Sequence, residues 1–217
     1  GVYRLTVLHS AEGQLMGMRL PNISTAYELF VDGRSLLRRG TPGMSEAETV
    51  PYQRPAAVFF AMENGRTELE LRVANYDHRD GGIRETPVLG TSRHIQQLTI
   101  RKAAQELIVF GCLLMMAFYH CGLFLMRRKE KANLFFALLC LLVALRMGVI
   151  GEVFFAQWLP ALTWTAAIRL EYAALTLAVW MGVSYFGRMF PAELGAGWAR
   201  ASAAASAALV AFTVASP

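Results

Sequence analysis

The sequence predicts two unlike halves: a β-sandwich or jelly roll over residues 1–98, then an α-helical membrane-embedded bundle over residues 105–217. Three observations predict this. Apolar and polar residues alternate in several short runs before residue 90, four long apolar runs follow residue 104, and charge is divided unequally between the halves. Of the 217 residues, 55% are hydrophobic and only 17% charged, whereas a soluble domain carries about a quarter charged residues. Part of the chain therefore sits outside water.

Residues 1–100 hold 11 Arg and 11 Asp or Glu, while residues 101–217 hold 10 Lys or Arg and 5 Glu, so the net charge of +5 belongs to the second half. A first half with no net charge excludes a nucleic-acid footprint, which needs a basic patch on a soluble domain. Cys112, Cys121 and Cys140 all lie in apolar runs, which leaves no disulfide framework or metal knuckle and reads as small apolar packing. Gly1 stands where an initiator Met or a leader would be. Because the orientation argued below puts it outside the cytoplasm, the chain reads as a fragment from which a leader and an upstream strand have been removed.

The strands follow in order. Val2–Leu8 alternates, Gln14–Leu20 does so more weakly, and Ala26–Val31 leads through Asp32-Gly33 into Arg34–Leu37. Asp-Gly between two such runs signals a hairpin, because a tight primed turn needs positive φ. Ala57–Met62 and Pro87–Leu89 are weaker strands, whereas Thr67–Val73 places Leu69, Leu71 and Val73 strictly on one face. That many short strands with Pro and Gly turns between them suggest a sandwich or jelly roll. Glu68 and Glu70 fall on the polar face of their strand and read as solvated side chains.

After a linker over 99–104, helices are expected at about 105–126, 132–150, 164–186 and 198–216. His120 is the one strongly polar residue in the apolar part of the first. Asn133 and Arg146 interrupt the second, Arg169 and Glu171 the third, and Arg200 with nine alanines dilutes the fourth. Arg127-Arg128-Lys129-Glu130-Lys131 joins the first two helices, while Gly151–Thr163 contains no Lys or Arg. The positive-inside bias puts the basic loop in the cytoplasm and residues 1–100 outside. Trp158, Trp164 and Trp198 near helix ends suit an interfacial belt or ordinary helix packing equally.

Ala26-Tyr-Glu-Leu-Phe-Val-Asp-Gly-Arg34 with Gly40, then Thr67–Tyr76 and Gly81-Gly82-Ile83, resembles the galactose-binding-like jelly roll used as a sugar-binding module in glycosidases. Asp32 stands where that hairpin usually has Asn, a change that suits the same turn. Joined to Ala144-Leu-Arg-Met-Gly-Val-Ile-Gly-Glu152 and Ile168-Arg-Leu-Glu-Tyr172, the arrangement resembles the bacterial seven-transmembrane receptors with diverse intracellular signalling modules. The resemblance implies a multi-pass protein of the bacterial cytoplasmic membrane that senses a small-molecule or carbohydrate ligand outside. It further implies three more helices and an output module (a histidine kinase, nucleotide cyclase, diguanylate cyclase or phosphatase), none of them in these residues.

The ligand-binding candidates are Asn75, Tyr76, Asp77, His78, Arg79 and Asp80, a carboxamide, phenol, imidazole, guanidinium and two carboxylates gathered at a strand end. Such groups bind sugar hydroxyls or an anion. They also suit a plain turn before Gly81-Gly82, with Asp77 and Arg79 as a solvated ion pair. Asp77, His78 and Asp80 lack a zinc or calcium spacing, no catalytic or nucleotide motif appears, and no cofactor is implied. The segment is read as no enzyme.

Ionisable groups in hydrocarbon need a partner or a task. Arg146, Arg169 and Glu171 form the intramembrane polar cluster, in which Glu171 is expected to pair with Arg146 and Arg169 to snorkel to the interface. His120, in the other leaflet, suits an interhelical hydrogen bond. Ala199, Ala203, Ala207, Ala211 and Ala215 make a small-residue stripe that leaves a homodimer open. The alternative readings are a membrane-anchored carbohydrate-binding or carbohydrate-processing protein and a transporter-associated component. Transport itself would require broken helices, which the second and third runs lack.

Overall fold

The structure, a computed structural model, describes residues 1–10, 13–52, 54–63, 65–78, 81–152 and 162–215. It divides into two compact units, Gly1–Ala103 and Ala104–Pro217, each taken by itself below.

The described strands of the first unit are β1 (Val2–Leu8), β2 (Leu15–Leu20), β3 (Ile23–Ser24), β4 (Ala26–Val31), β5 (Arg34–Arg39), β6 (Ala56–Ala61), β7 (Arg66–Ala74), β8 (Gly82–Ile83) and β9 (Val88–Thr91). They form a four-stranded sheet in the order β1-β7-β4-β5, a three-stranded sheet β6-β2-β9 and the pair β3-β8. Every pairing between these described strands is antiparallel. The alternation in β7 buries Thr67, Leu69, Leu71 and Val73, and its register sets Val31 opposite Leu69, Leu29 opposite Leu71 and Tyr27 opposite Val73. The centre of the sheet's buried face is thereby lined by Leu29, Val31, Leu69, Leu71 and Val73. Met18, Leu20, Val58 and Phe60 of the three-stranded sheet join those residues in a single core. Leu20, Ile23 and Leu29 are fully enclosed, each contributing roughly 1.5–3 kcal/mol over an exposed side chain.

Asp32 (φ 48°) and Gly33 (φ 77°) both take the left-handed conformation, the primed hairpin turn that Asp-Gly favours. Asp32 Oδ1 accepts a 2.7 Å hydrogen bond from the Glu68 amide, which ties the turn to β7. On the solvent face Glu70 accepts from Arg4 at 2.7 Å and from Arg72 at 2.6 Å, linking edge strand β1 to its neighbour. Arg72 and Arg4 hold the Glu70 carboxyl below its ordinary range.

The strongly alternating runs coincide with β1, β4, β5 and β7, and the weaker ones appear as β2, β6 and β9 within two residues of their expected bounds. β3 and β8 were too short to leave an alternation. Of the expected sandwich or jelly roll, the described residues show the coarser feature, a β-sheet region of three sheets that do not close on one another.

The described α-helices are α1 (Ser92–Met126), α2 (Lys131–Ile150), α3 (Trp164–Met189) and α4 (Ala196–Ala215). Residues 99–104, expected as a linker, are helical because α1 starts before its apolar stretch. Thr91 Oγ1 accepts from the His94 amide at 3.3 Å in the manner of an N-cap, and Ile95 is fully buried. Gly17 makes room for this first turn: a Cβ there would lie 2.9 Å from both Ile95 Cβ and Phe59 Cε1. Hydropathy marks only the apolar part of such a helix.

All four helices are long and apolar enough to cross a bilayer. In the most apolar windows of α1 and α4 only 6% of residues are buried within the protein, and Met115, Phe118 and Phe212 stand exposed. Apolar surface of this extent is stable in contact with lipid, and the chain is a multi-pass membrane protein. α2 packs along α3, and α3 along α4, where Ser206 Oγ donates to the Thr176 carbonyl at 3.1 Å.

Candidate functional site

β7 ends at Ala74 and delivers the loop that carries the ligand-binding candidates. Asn75 closes it: its Oδ1 accepts from the His78 amide at 3.0 Å and its Nδ2 donates to the His78 carbonyl at 2.6 Å. Gly81 is needed for this closure, since a Cβ there would lie 2.5 Å from Asn75 Nδ2. Tyr76 donates its hydroxyl to the Met44 carbonyl at 2.6 Å while its side chain stays exposed. Thr25 Oγ1 donates to Asp77 Oδ2 at 3.3 Å. The polar atoms of Asn75 and Asp77 thus build the turn, and Tyr76 presents a ring to solvent. Arg79 and Asp80, also among the candidates, lie outside the described residues.

In the helical unit, Arg146 of α2 and Glu171 of α3 come together, with Arg146 Nη2 3.4 Å from Glu171 Oε1. Their side chains are 37% and 21% exposed, so the pair is partly covered by the helices around it. Arg169, two residues along α3, also has an interaction partner. Near the same end of α2, Glu106 of α1 accepts a 2.6 Å hydrogen bond from the Glu152 amide. A side chain at Gly151 would collide with that carboxylate. Glu106 was missed in the sequence because it stands one residue before the apolar run. The signal available was an acid at a span boundary, where ionisable groups are costly. Trp158, one of the three tryptophans read near helix ends as interfacial or packed, lies outside the described residues.

Toward the other end of α2, His120 Nδ1 lies 3.2 Å from Asn133 Oδ1, a hydrogen bond between α1 and α2. Its ring packs on Phe136 at 4.4 Å between centroids, and Phe136 packs on Tyr185 of α3 at 5.0 Å. Arg188 lies over the Phe135 ring at 3.9 Å, a cation–π contact between α3 and α2. Consecutive helices are therefore each joined by a polar contact, and α2 on α3 and α3 on α4 by close packing as well.

Among the described residues no group of three His, Cys, Asp or Glu is placed to hold a metal ion. Residues 103–217, more than half of the chain and all four apolar helices except the start of α1, match the family model described as 7TM diverse intracellular signalling. That domain is a signalling module and not a catalytic one. No curated protein and no solved structure matches the chain. By the extent of that match, the chain belongs to the 7TM diverse intracellular signalling family.

Proposed function

We propose that this chain is the sensing and membrane-embedded part of a bacterial signalling receptor. Its β unit lies outside the cytoplasm, binds a small-molecule ligand of carbohydrate type, and passes the signal through the helices to a cytoplasmic output module. The observation that carries the reading is the placement of a β-sheet unit immediately before a matched membrane signalling domain. The four cations of the 127–131 loop support the orientation, because Lys and Arg concentrate on the cytoplasmic side.

The sugar-binding resemblance of the strands supports a jelly roll with a carbohydrate ligand, and the 75–80 loop is its contact surface. Tyr76 would supply a ring face for stacking, while His78, Arg79 and Asp80 would supply donors and acceptors. Transmission would begin where α1 leaves the sheet at Ile95 and Gly17, and would reach the Arg146–Glu171 pair and the Glu106 contact.

Hydrogen exchange of the whole chain in lipid nanodiscs, with a panel of neutral and acidic monosaccharides and disaccharides, tests the reading. At least one sugar should slow exchange around residues 75–78 and alter it at the Ile150 end of α2. A panel in which no sugar changes exchange anywhere in the β unit contradicts it. Arg79→Ala should weaken the sugar without unfolding the chain, and unchanged affinity in a folded variant removes the loop from the site.

A further inference from the structure

Away from the 75–80 loop, at the opposite end of β7, the β4–β5 turn and the start of β7 border a cavity of about 550 Å³. Ligand sites are typically about 300–1,000 Å³, so the space suits a small molecule. Val31 and Phe60, nearly enclosed in the shared core, lie at its base, and Leu36 of β5 and Ala61 of β6 add exposed apolar surface to a lining that is otherwise polar. Its rim is ionic and of both signs, with Asp32 on the turn, Arg34 at the start of β5, Glu63 beyond the end of β6 and Arg66 at the start of β7.

Two of those four charges already have work within the protein. Asp32 Oδ1 holds the Glu68 amide, and Arg66 pairs with the Glu68 carboxylate. The side chains of Arg34 and Glu63, both exposed, make no ion pair or hydrogen bond with another described residue. A ligand anionic throughout would face Asp32 and Glu63, and a cationic one would face Arg34 and Arg66. A neutral polyol would leave both free charges without a counterpart. A compact zwitterion engages both: a carboxylate suits the fork of Arg34, an ammonium suits Glu63, and an apolar side chain fits over Leu36 and Phe60.

We infer that this cavity is a binding site for a free amino acid with an apolar side chain, separate from the sugar surface proposed above. Val31 pairs with Leu69 near the start of β7, whereas the 75–80 loop follows its last residue, so the two sites act on opposite ends of one strand.

Calorimetric titration of the whole chain in nanodiscs tests this with four probes: L-leucine, isocaproate (leucine without its ammonium), isopentylamine (leucine without its carboxylate) and D-galactose. Leucine should bind saturably, and each single-charge relative should bind roughly tenfold or more weakly, the loss expected when one charge-assisted hydrogen bond goes. Arg34→Gln and Glu63→Gln should each weaken leucine by a similar factor while leaving circular dichroism and thermal melting unchanged. The absence of leucine binding at millimolar concentration overturns the inference. So does equal affinity for the single-charge relatives, which needs no variant to read, or leucine binding that survives both substitutions. Galactose binding that is lost in both variants also overturns it, by making the cavity a neutral sugar site.

Discussion

Arg146 and Glu171 carry opposite charges at a depth where neither is cheaply left alone. Polar contacts between membrane helices are worth about 1–2 kcal/mol, because helices that separate within the bilayer find other partners for their polar groups. Arg146→Gln or Glu171→Gln should destabilise the helical unit by about 1–2 kcal/mol, read as thermal unfolding in nanodiscs. The double reversal, Arg146→Glu with Glu171→Arg, should recover at least half of what either reversal alone loses. In the β unit, burial pushes the Tyr27 phenol up from 10.0 to about 12, against the pull of the nearby Arg39 guanidinium. Because the folded-state value is the higher one, its contribution is complete below pH 10.0 and is lost as pH rises toward about 12. That loss is about 3 kcal/mol. Denaturant melts followed by near-ultraviolet circular dichroism should show this alkaline decline in the wild-type chain and a weaker one in Tyr27→Phe.

At the scale of elements, α1 separates what the sequence displays from what it conceals. Its apolar stretch from Leu107 was legible because spanning hydrocarbon takes about twenty apolar residues in a row. Its first turns were not, because Ser92–Lys102 is polar and the helix there rests on a sheet face opened by Gly17, a long-range contact that leaves no local period. Gly17→Leu should therefore cost about 1–3 kcal/mol through overpacking and speed amide exchange across residues 92–98, with the apolar part of α1 unaffected. The same contrast holds among the strands. β7 was legible from its alternation and the β4–β5 turn from Asp32-Gly33, while β3 and β8 exist only through their pairing with each other. Of the candidate site, the Arg146–Glu171 contact could be placed from 1.5 Å per residue of helix rise. The use of Asn75 to close its own loop could not, because the same residue types serve turns and ligands alike.

The whole molecule joins a unit built around a water-excluded core to a unit whose apolar surface faces outward, a combination stable only at a membrane. The orientation proposed above, with residues 1–100 outside the cytoplasm, rests on the four cations of the 127–131 loop, because Lys and Arg concentrate on the cytoplasmic side. The most direct test uses cells expressing the chain with Cys112, Cys121 and Cys140 replaced by Ala, carrying a single cysteine at Met44, which is 91% exposed, or at Lys129. A membrane-impermeant maleimide applied to intact spheroplasts should label Met44→Cys at once and Lys129→Cys only after the membrane is opened. Labelling of Lys129→Cys with Met44→Cys protected, or recovery of the chain in the soluble fraction, would contradict the account.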